Sequence, residues 1–202
     1  FNHEVGHCLG LPDVYGDHDS LGFLSLMSDS WPRPPFGFSA FDRLLLGWHD
    51  NLIVIDDDSS EVTLGAAEET LDAVMITTGH SSEYFLIEYR RRPDDGYGST
   101  LDFEHDGLAI YHVLESRVAS GGNREEPSMV QLVPADGVPA DTAAPEANDF
   151  WSPENVDALE TILGISHFDG AEVFRLEHVE RVGDELRFDV VFTTRTPPEP
   201  TD

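Results

Sequence analysis

The sequence predicts an α+β fold that is mainly β. Two observations carry this. Helical signals are confined to residues 1–50. From Asn51 onward, short runs rich in Val, Ile, Leu, Phe and Tyr recur between turn residues, with no long helical pattern among them. Strands that follow one another without crossover helices imply an antiparallel sandwich or barrel.

The elements follow in order. Residues 1–9 read as a helix that Gly10 can end, and Pro12 stops it from resuming. A stretch rich in Gly, Pro, Asp and Ser follows and reads as ordered loop. Ser39–Trp48 reads as a second helix, with Ser39 as N-cap, Asp42 three residues later and Gly47 as the stop. Strands are expected at Leu52–Ile55, Glu61–Leu64, Ala73–Thr77, Tyr84–Arg90, Leu108–Val113, Met129–Pro134, Val173–Val179 and Glu185–Phe192. Gly183-Asp184 is a hairpin turn between the last two. Residues 135–170 are rich in Ala, Pro and Asp and read as a long surface excursion. The expected organisation is a unit over 1–50, a β-rich, sandwich-like domain over 51–192, and a Thr/Pro-rich tail or linker over 193–202.

Forty acidic residues against 11 basic ones, all Arg, give a formal net charge of −29. Hydrophobic residues at 40% still suffice for a packed core. Such a negative surface argues against nucleic acid or an anionic membrane face as partner. No apolar run is long enough for a helical membrane span. Crowded carboxylates repel one another in dilute buffer, whereas molar salt cuts the screening length to about 3 Å. Abundant Asp and Glu with no Lys therefore suggests adaptation to high salt. The single Cys8 excludes an internal disulfide framework. It reads as a small buried residue rather than a ligand.

The segment His3-Glu4-Val5-Gly6-His7, with Gly10 and Asp13 beyond it, has the spacing HExxHxxGxxD. On a helix His3 and His7 project from one face, and two imidazoles converging there suit Zn²⁺. Glu4 follows the first His and need not ligate. It can take a proton from an attacking water as general base. Once Gly10 turns the chain, Asp13 can present a carboxylate to the same ion. Three protein ligands leave a fourth position open, the arrangement of a catalytic site.

The segment HEVGHCLGLPDVY resembles the zinc signature of the immune inhibitor A family of secreted metalloproteases, which is metzincin-like. Leu24-Ser25-Leu26-Met27-Ser28 with Trp31 resembles that family's turn carrying a Met beneath the metal, which makes Met27 the turn Met. Phe38–Asp42 and Leu46–Trp48 resemble its following helix, and Tyr84–Arg90 and Gly107–Val113 two of its strands. The resemblance implies that residues 1–50 are the C-terminal half of a metzincin-like zinc protease domain. The missing N-terminal half would then lie in the same parent chain, protein or peptide substrates would be the partners, and the protein would be secreted. The 202-residue piece alone is then expected to be inactive.

Weaker signals remain. Asp17 and Asp19 could supply oxygen ligands to Ca²⁺, or form a solvated loop. Tyr15 could donate to an oxyanion, or simply pack. Glu88 and His112, on strands expected to be neighbours, suggest a structural hydrogen-bonded pair. Arg90-Arg91-Arg92 is expected to pair internally or with a neighbouring domain. The expected function is a zinc-dependent endopeptidase. Its rivals are a β-sandwich binding module with a vestigial or structural metal site, and a calcium-binding acidic surface protein.

Overall fold

The computed structural model describes residues 2–15, 21–28, 37–79, 82–91, 106–118, 128–137, 149–156, 165–166 and 170–193. Among these, nine strands form two sheets. One contains β1 (Leu52–Ile55), β3 (Ala73–Thr77), β4 (Glu83–Arg90), β5 (Gly107–Leu114) and β6 (Val130–Leu132), in the order β1-β3-β4-β5-β6. The other contains β2 (Ser59–Gly65), β9 (Glu185–Phe192), β8 (Glu172–Val182) and β7 (Ile165–Ser166), in the order β2-β9-β8-β7. The fold is α+β and mainly β.

The larger sheet is covered on both faces. Along β4 and β5 the side chains alternate between two cores. Phe85, Ile87, Tyr89, Leu108 and Ile110 meet Val62, Leu64, Phe174, Leu176, Phe188 and Val190 of the smaller sheet. Leu86, Ala109, Tyr111 and Val113 meet Leu11, Val14, Leu21, Leu24, Met27 and Phe41 from the N-terminal segment. The result is three layers, in which the N-terminal helices and turns lie on one face and the second sheet on the other. Burial on two faces explains why β4 and β5 read as unbroken apolar runs rather than alternating ones. Each large side chain buried this way contributes about 1.5–3 kcal/mol.

Two expectations are corrected. The β1–β3 pair is parallel, not antiparallel. Between them the chain leaves for the other sheet as β2 and returns through α3 (Ala67–Thr70), so both strands start from the same end. Residues 135–170 are not wholly a surface excursion. Phe150 and Trp151 are buried, Trp151 bridges Leu108, and its indole N–H donates to the Val133 carbonyl at 3.0 Å. Ile165 is buried in β7. The Ala/Pro/Asp-rich surroundings hid these apolar anchors.

Glu88 and His112 do lie on adjacent strands, but they do not pair. In the β4–β5 register Glu88 faces Ala109 and His112 faces Phe85. Residues three apart across this pairing point to opposite faces. His112 stacks on Phe85 and shares a hydrogen bond with Glu83 at 3.1 Å. Glu88, fully buried, takes 2.8 Å ion pairs from both Arg43 and Arg90 and a hydrogen bond from the Tyr111 hydroxyl. Arg90 extends the clamp to Glu68 at 3.0 Å and to the Leu24 carbonyl at 2.9 Å. Arg91 pairs with Glu69 and Asp184, and Arg92 lies outside the described residues. This buried cluster fastens the N-terminal layer to the central sheet.

Candidate metal centre

The site begins on α1 (Asn2–Cys8). The helix ends with the two bonds of a Schellman cap: Gly10 N–H donates to the His7 carbonyl and Leu11 N–H to the Gly6 carbonyl. Gly10 sits at φ +94°, a conformation that side-chain-bearing residues seldom adopt. This stop turns the chain back over its own last turn. It brings the Leu11 carbonyl onto the His7 ring, where it accepts from Nδ1 at 2.9 Å. Two residues further on, Asp13 faces the helix.

His3, His7 and Asp13 converge as the spacing predicts. The Nε2 atoms of His3 and His7 each lie 3.1 Å from the same Asp13 Oδ1. The two rings are perpendicular, with centroids 4.8 Å apart. His3 Nδ1 donates to the Leu26 carbonyl at 2.9 Å. A carbonyl can only accept, so in each ring the proton sits on Nδ1. In the neutral imidazole Nε2 is then a lone pair. With both imidazoles neutral, three acceptor atoms meet with no donor among them. The histidine and aspartate side chains are 23%, 35% and 33% exposed, so solvent reaches the cluster.

The turn beneath comes from residues 25–28. Ser28 N–H donates to the Ser25 carbonyl at 3.1 Å, closing the turn. The buried Met27 lies under the helix, where Gly6 lacks the Cβ that would strike it. The Met27 carbonyl accepts from Val14 N–H at 2.9 Å, next to Asp13. Met27 thus lies directly beneath the helix that carries His3 and His7.

Glu4 is exposed on α1 and is not one of the converging ligand atoms. The Tyr15 ring lies 6.2 Å from that of His3, tilted by 30°. Asp17 and Asp19 lie outside the described residues. Cys8 is exposed, not buried as expected: it falls on the outward side of a short helix whose inner face is taken by Gly6. Among the remaining histidines, His49 donates to the Leu71 carbonyl and His178 pairs with Asp189.

Sequence reasoning missed the groups that orient the two histidines. The carbonyls of Leu11 and Leu26 leave no trace in residue identity. Asp42 was legible only as a cap of α2 (Ala40–Leu46). It is in fact buried, with Oδ2 accepting from Ser39 N–H and Oγ at 2.8 Å and from Ser25 Oγ at 2.6 Å. Burial raises its pKa above the ordinary value, against the pull of the Ser25 and Ser39 bonds.

No protein-family model matches the chain, no curated protein matches it, and no solved structure matches it.

Proposed function

We propose that His3, His7 and Asp13 hold a Zn²⁺ ion and that the chain carries the catalytic centre of a zinc-dependent endopeptidase. One observation carries this reading: the Nε2 atoms of two imidazoles and a carboxylate oxygen converge on one point, while both Nδ1 atoms already donate to backbone carbonyls. With both imidazoles neutral such a set suits a cation, and two imidazoles with one carboxylate match the zinc donor set. Carbonyl partners on the outer nitrogens are how metal-binding histidines are held in the required tautomer. The likeness of residues 3–15 and 24–48 to the immune inhibitor A signature supports the same reading, and with it secretion. The acidic, Lys-free composition supports work at high salt.

When bound, Zn²⁺ supplies Lewis acidity that polarises a substrate carbonyl and acidifies water. His3 and His7 hold their Nε2 lone pairs in place through their carbonyl partners. Asp13 contributes the negative charge of the ligand set. Glu4, exposed beside His3, takes the proton from the attacking water and passes it to the leaving amine. Tyr15, beside His3, is the candidate donor to the oxyanion. Any Ca²⁺ would fall to Asp17 and Asp19.

A second reading has its own support. The sandwich makes up most of the described chain, and protons on the imidazoles would also satisfy the acceptor cluster. On that reading the chain is a binding module with a structural or vestigial site.

Elemental analysis in molar salt separates the two. The endopeptidase reading expects about one zinc per chain, lost in His7→Ala. In the longer parent chain, since the 202-residue piece alone is expected to be inactive, it further expects hydrolysis of a denatured protein substrate that disappears in Glu4→Ala while zinc is kept. Zinc uptake without Glu4-dependent hydrolysis favours the structural site, and no uptake by the wild-type chain refutes the zinc centre.

A further inference from the structure

We propose that the Asp42 carboxylate is a positioning residue of the metal centre, acting through the Ser25 hydroxyl on the turn of residues 25–28. The inference rests on the reading that His3, His7 and Asp13 hold a metal ion.

The turn touches every part of the cluster. Its Leu26 carbonyl fixes the His3 ring through Nδ1 at 2.9 Å. Its Met27 carbonyl holds Val14 N–H at 2.9 Å, and so the backbone beside Asp13. Its Met27 side chain fills the space under Gly6, which lies between the two histidines on α1. A displacement of the turn therefore moves His3, Asp13 and the helix floor together.

The turn does not hold itself. Its single internal backbone bond, Ser28 N–H to the Ser25 carbonyl, leaves the Leu26 and Met27 carbonyls pointing elsewhere. Ser25 Oγ accepts from Met27 N–H at 3.0 Å and donates to Asp42 Oδ2 at 2.6 Å. The same hydroxyl thus closes the turn from inside and ties it to α2. Both Ser25 and Asp42 are completely buried, so water does not replace either bond. Leu26 N–H donates to the Gly37 carbonyl at 2.8 Å, on the approach to the same helix. The path from Asp42 to the His3 ring runs through the two hydrogen bonds of Ser25, the Leu26–Met27 peptide group and the hydrogen bond from His3 Nδ1 to the Leu26 carbonyl.

The first atoms beyond a metal's ligands commonly change affinity by roughly ten- to a hundredfold when removed. The test uses the whole chain in molar salt. Zn²⁺ affinity is measured by competition with a chromophoric chelator, and Co²⁺ substitution reports ligand geometry by its visible absorption. Ser25→Ala should weaken Zn²⁺ about tenfold or more and alter the Co²⁺ spectrum. Asp42→Asn should weaken it in the same direction. The double variant should be no weaker than Ser25→Ala alone, because both act along one path. Asp189→Ala, on the far sheet, serves as a control that lowers stability without touching this path. It should leave affinity and spectrum unchanged.

Unchanged affinity in Ser25→Ala overturns the proposal. So does additive loss in the double variant, or an equal loss in Asp189→Ala, since either marks general destabilisation. A wild-type chain that takes up neither metal refutes the metal centre itself and this proposal with it. Wild-type uptake together with an unaffected Ser25→Ala refutes the positioning role alone.

Discussion

A Cβ atom built on Gly6 would lie 2.2 Å from the Met27 sulfur. The helix carrying His3 and His7 thus rests directly on the turn carrying Met27, and the absence of a side chain at position 6 sets the separation. Met27 is fully buried, so its thioether has little room to retreat. Gly6→Ala is expected to lower stability by about 1–3 kcal/mol, the usual cost of overpacking. It should also weaken zinc binding by lifting α1. Adding Met27→Ala should recover part of the binding. A double variant worse than the sum of the singles would disprove steric conflict as the cause.

Glu88 is the ionic centre of the clamp between layers. Burial alone would raise its pKa, but the guanidiniums of Arg90 and Arg43 and the Tyr111 hydroxyl overcome that and hold it below the ordinary 4.5. A depressed carboxylate adds stability that is complete above the unfolded value and fades as pH falls through the folded one. Glu88→Gln leaves the buried Arg43 guanidinium without its counter-charge and Arg90 with Glu68 alone. It should cost about 3–5 kcal/mol at neutral pH. In denaturant titrations the gap between wild type and variant should shrink below about pH 4.5. A gap that stays constant down to pH 3 (about the lowest practical value) would show that the Glu88 charge is not the source.

Asp42 carries the opposite sign. Burial raises its pKa above 3.8, with the bonds from Ser25 and Ser39 opposing and the Glu88 charge adding. Its contribution is therefore full below the unfolded value and is lost as pH rises through the folded one. Asp42→Asn removes that loss but keeps an oxygen acceptor. The variant's stability relative to wild type should improve on going from pH 3 to pH 7, as read by the same titrations. A relative stability that falls over that range would contradict the assignment.

On the far sheet, Asp189 in the central strand β9 serves two bulges at once. It accepts from Glu61 N–H on β2 and pairs with His178 on β8, each at 2.8 Å. Glu61 and His178 both have positive φ, at 56° and 52°. Such backbone persists only when its surroundings hold it. Asp189→Ala should lower the melting temperature by several degrees and speed amide exchange at residues 59–62 and 177–180. Unchanged exchange there would show that the bulges hold themselves.

With a formal charge of −29, the chain should gain stability from salt. Each ~1 kcal/mol of relieved repulsion raises the melting temperature by roughly 2–4 °C at this size. Calorimetry from dilute buffer to molar NaCl tests this. A melting temperature that is flat or falling would remove the case for adaptation to high salt.

Much of the molecule is legible in residue order because its cues are local. β1, β3 and β9 match their expected limits residue for residue. The capping pair Ser39 and Asp42 and the stop at Gly47 mark α2 correctly. The convergence of His3, His7 and Asp13 follows from helical periodicity and one glycine. What stays hidden is non-local or lies in the backbone. Arg43 and Glu88 are 45 positions apart, and nothing in either neighbourhood names the other. The parallel β1–β3 pairing depends on an intervening strand joining the opposite sheet. Phe150 and Trp151 are buried because Leu108 offers an edge to pair with, which composition does not reveal. The Leu26 carbonyl would serve His3 equally well from any side chain at position 26.

If His3, His7 and Asp13 hold a metal ion as proposed, the Leu26 carbonyl also sets an order of events during maturation. His3, His7 and Asp13 emerge within eleven residues of one another, but the atom that fixes the His3 tautomer lies 23 positions downstream of it. The turn bearing that atom is held by Asp42, and the layer by Glu88 and Arg90, later still. A newly made stretch with the ligands alone has freely rotating imidazoles and only weak hold on an ion. Tight capture of such an ion would wait until the central sheet has closed. The metal would then be acquired by a finished scaffold rather than nucleate one, and an unfinished chain would stay chemically silent.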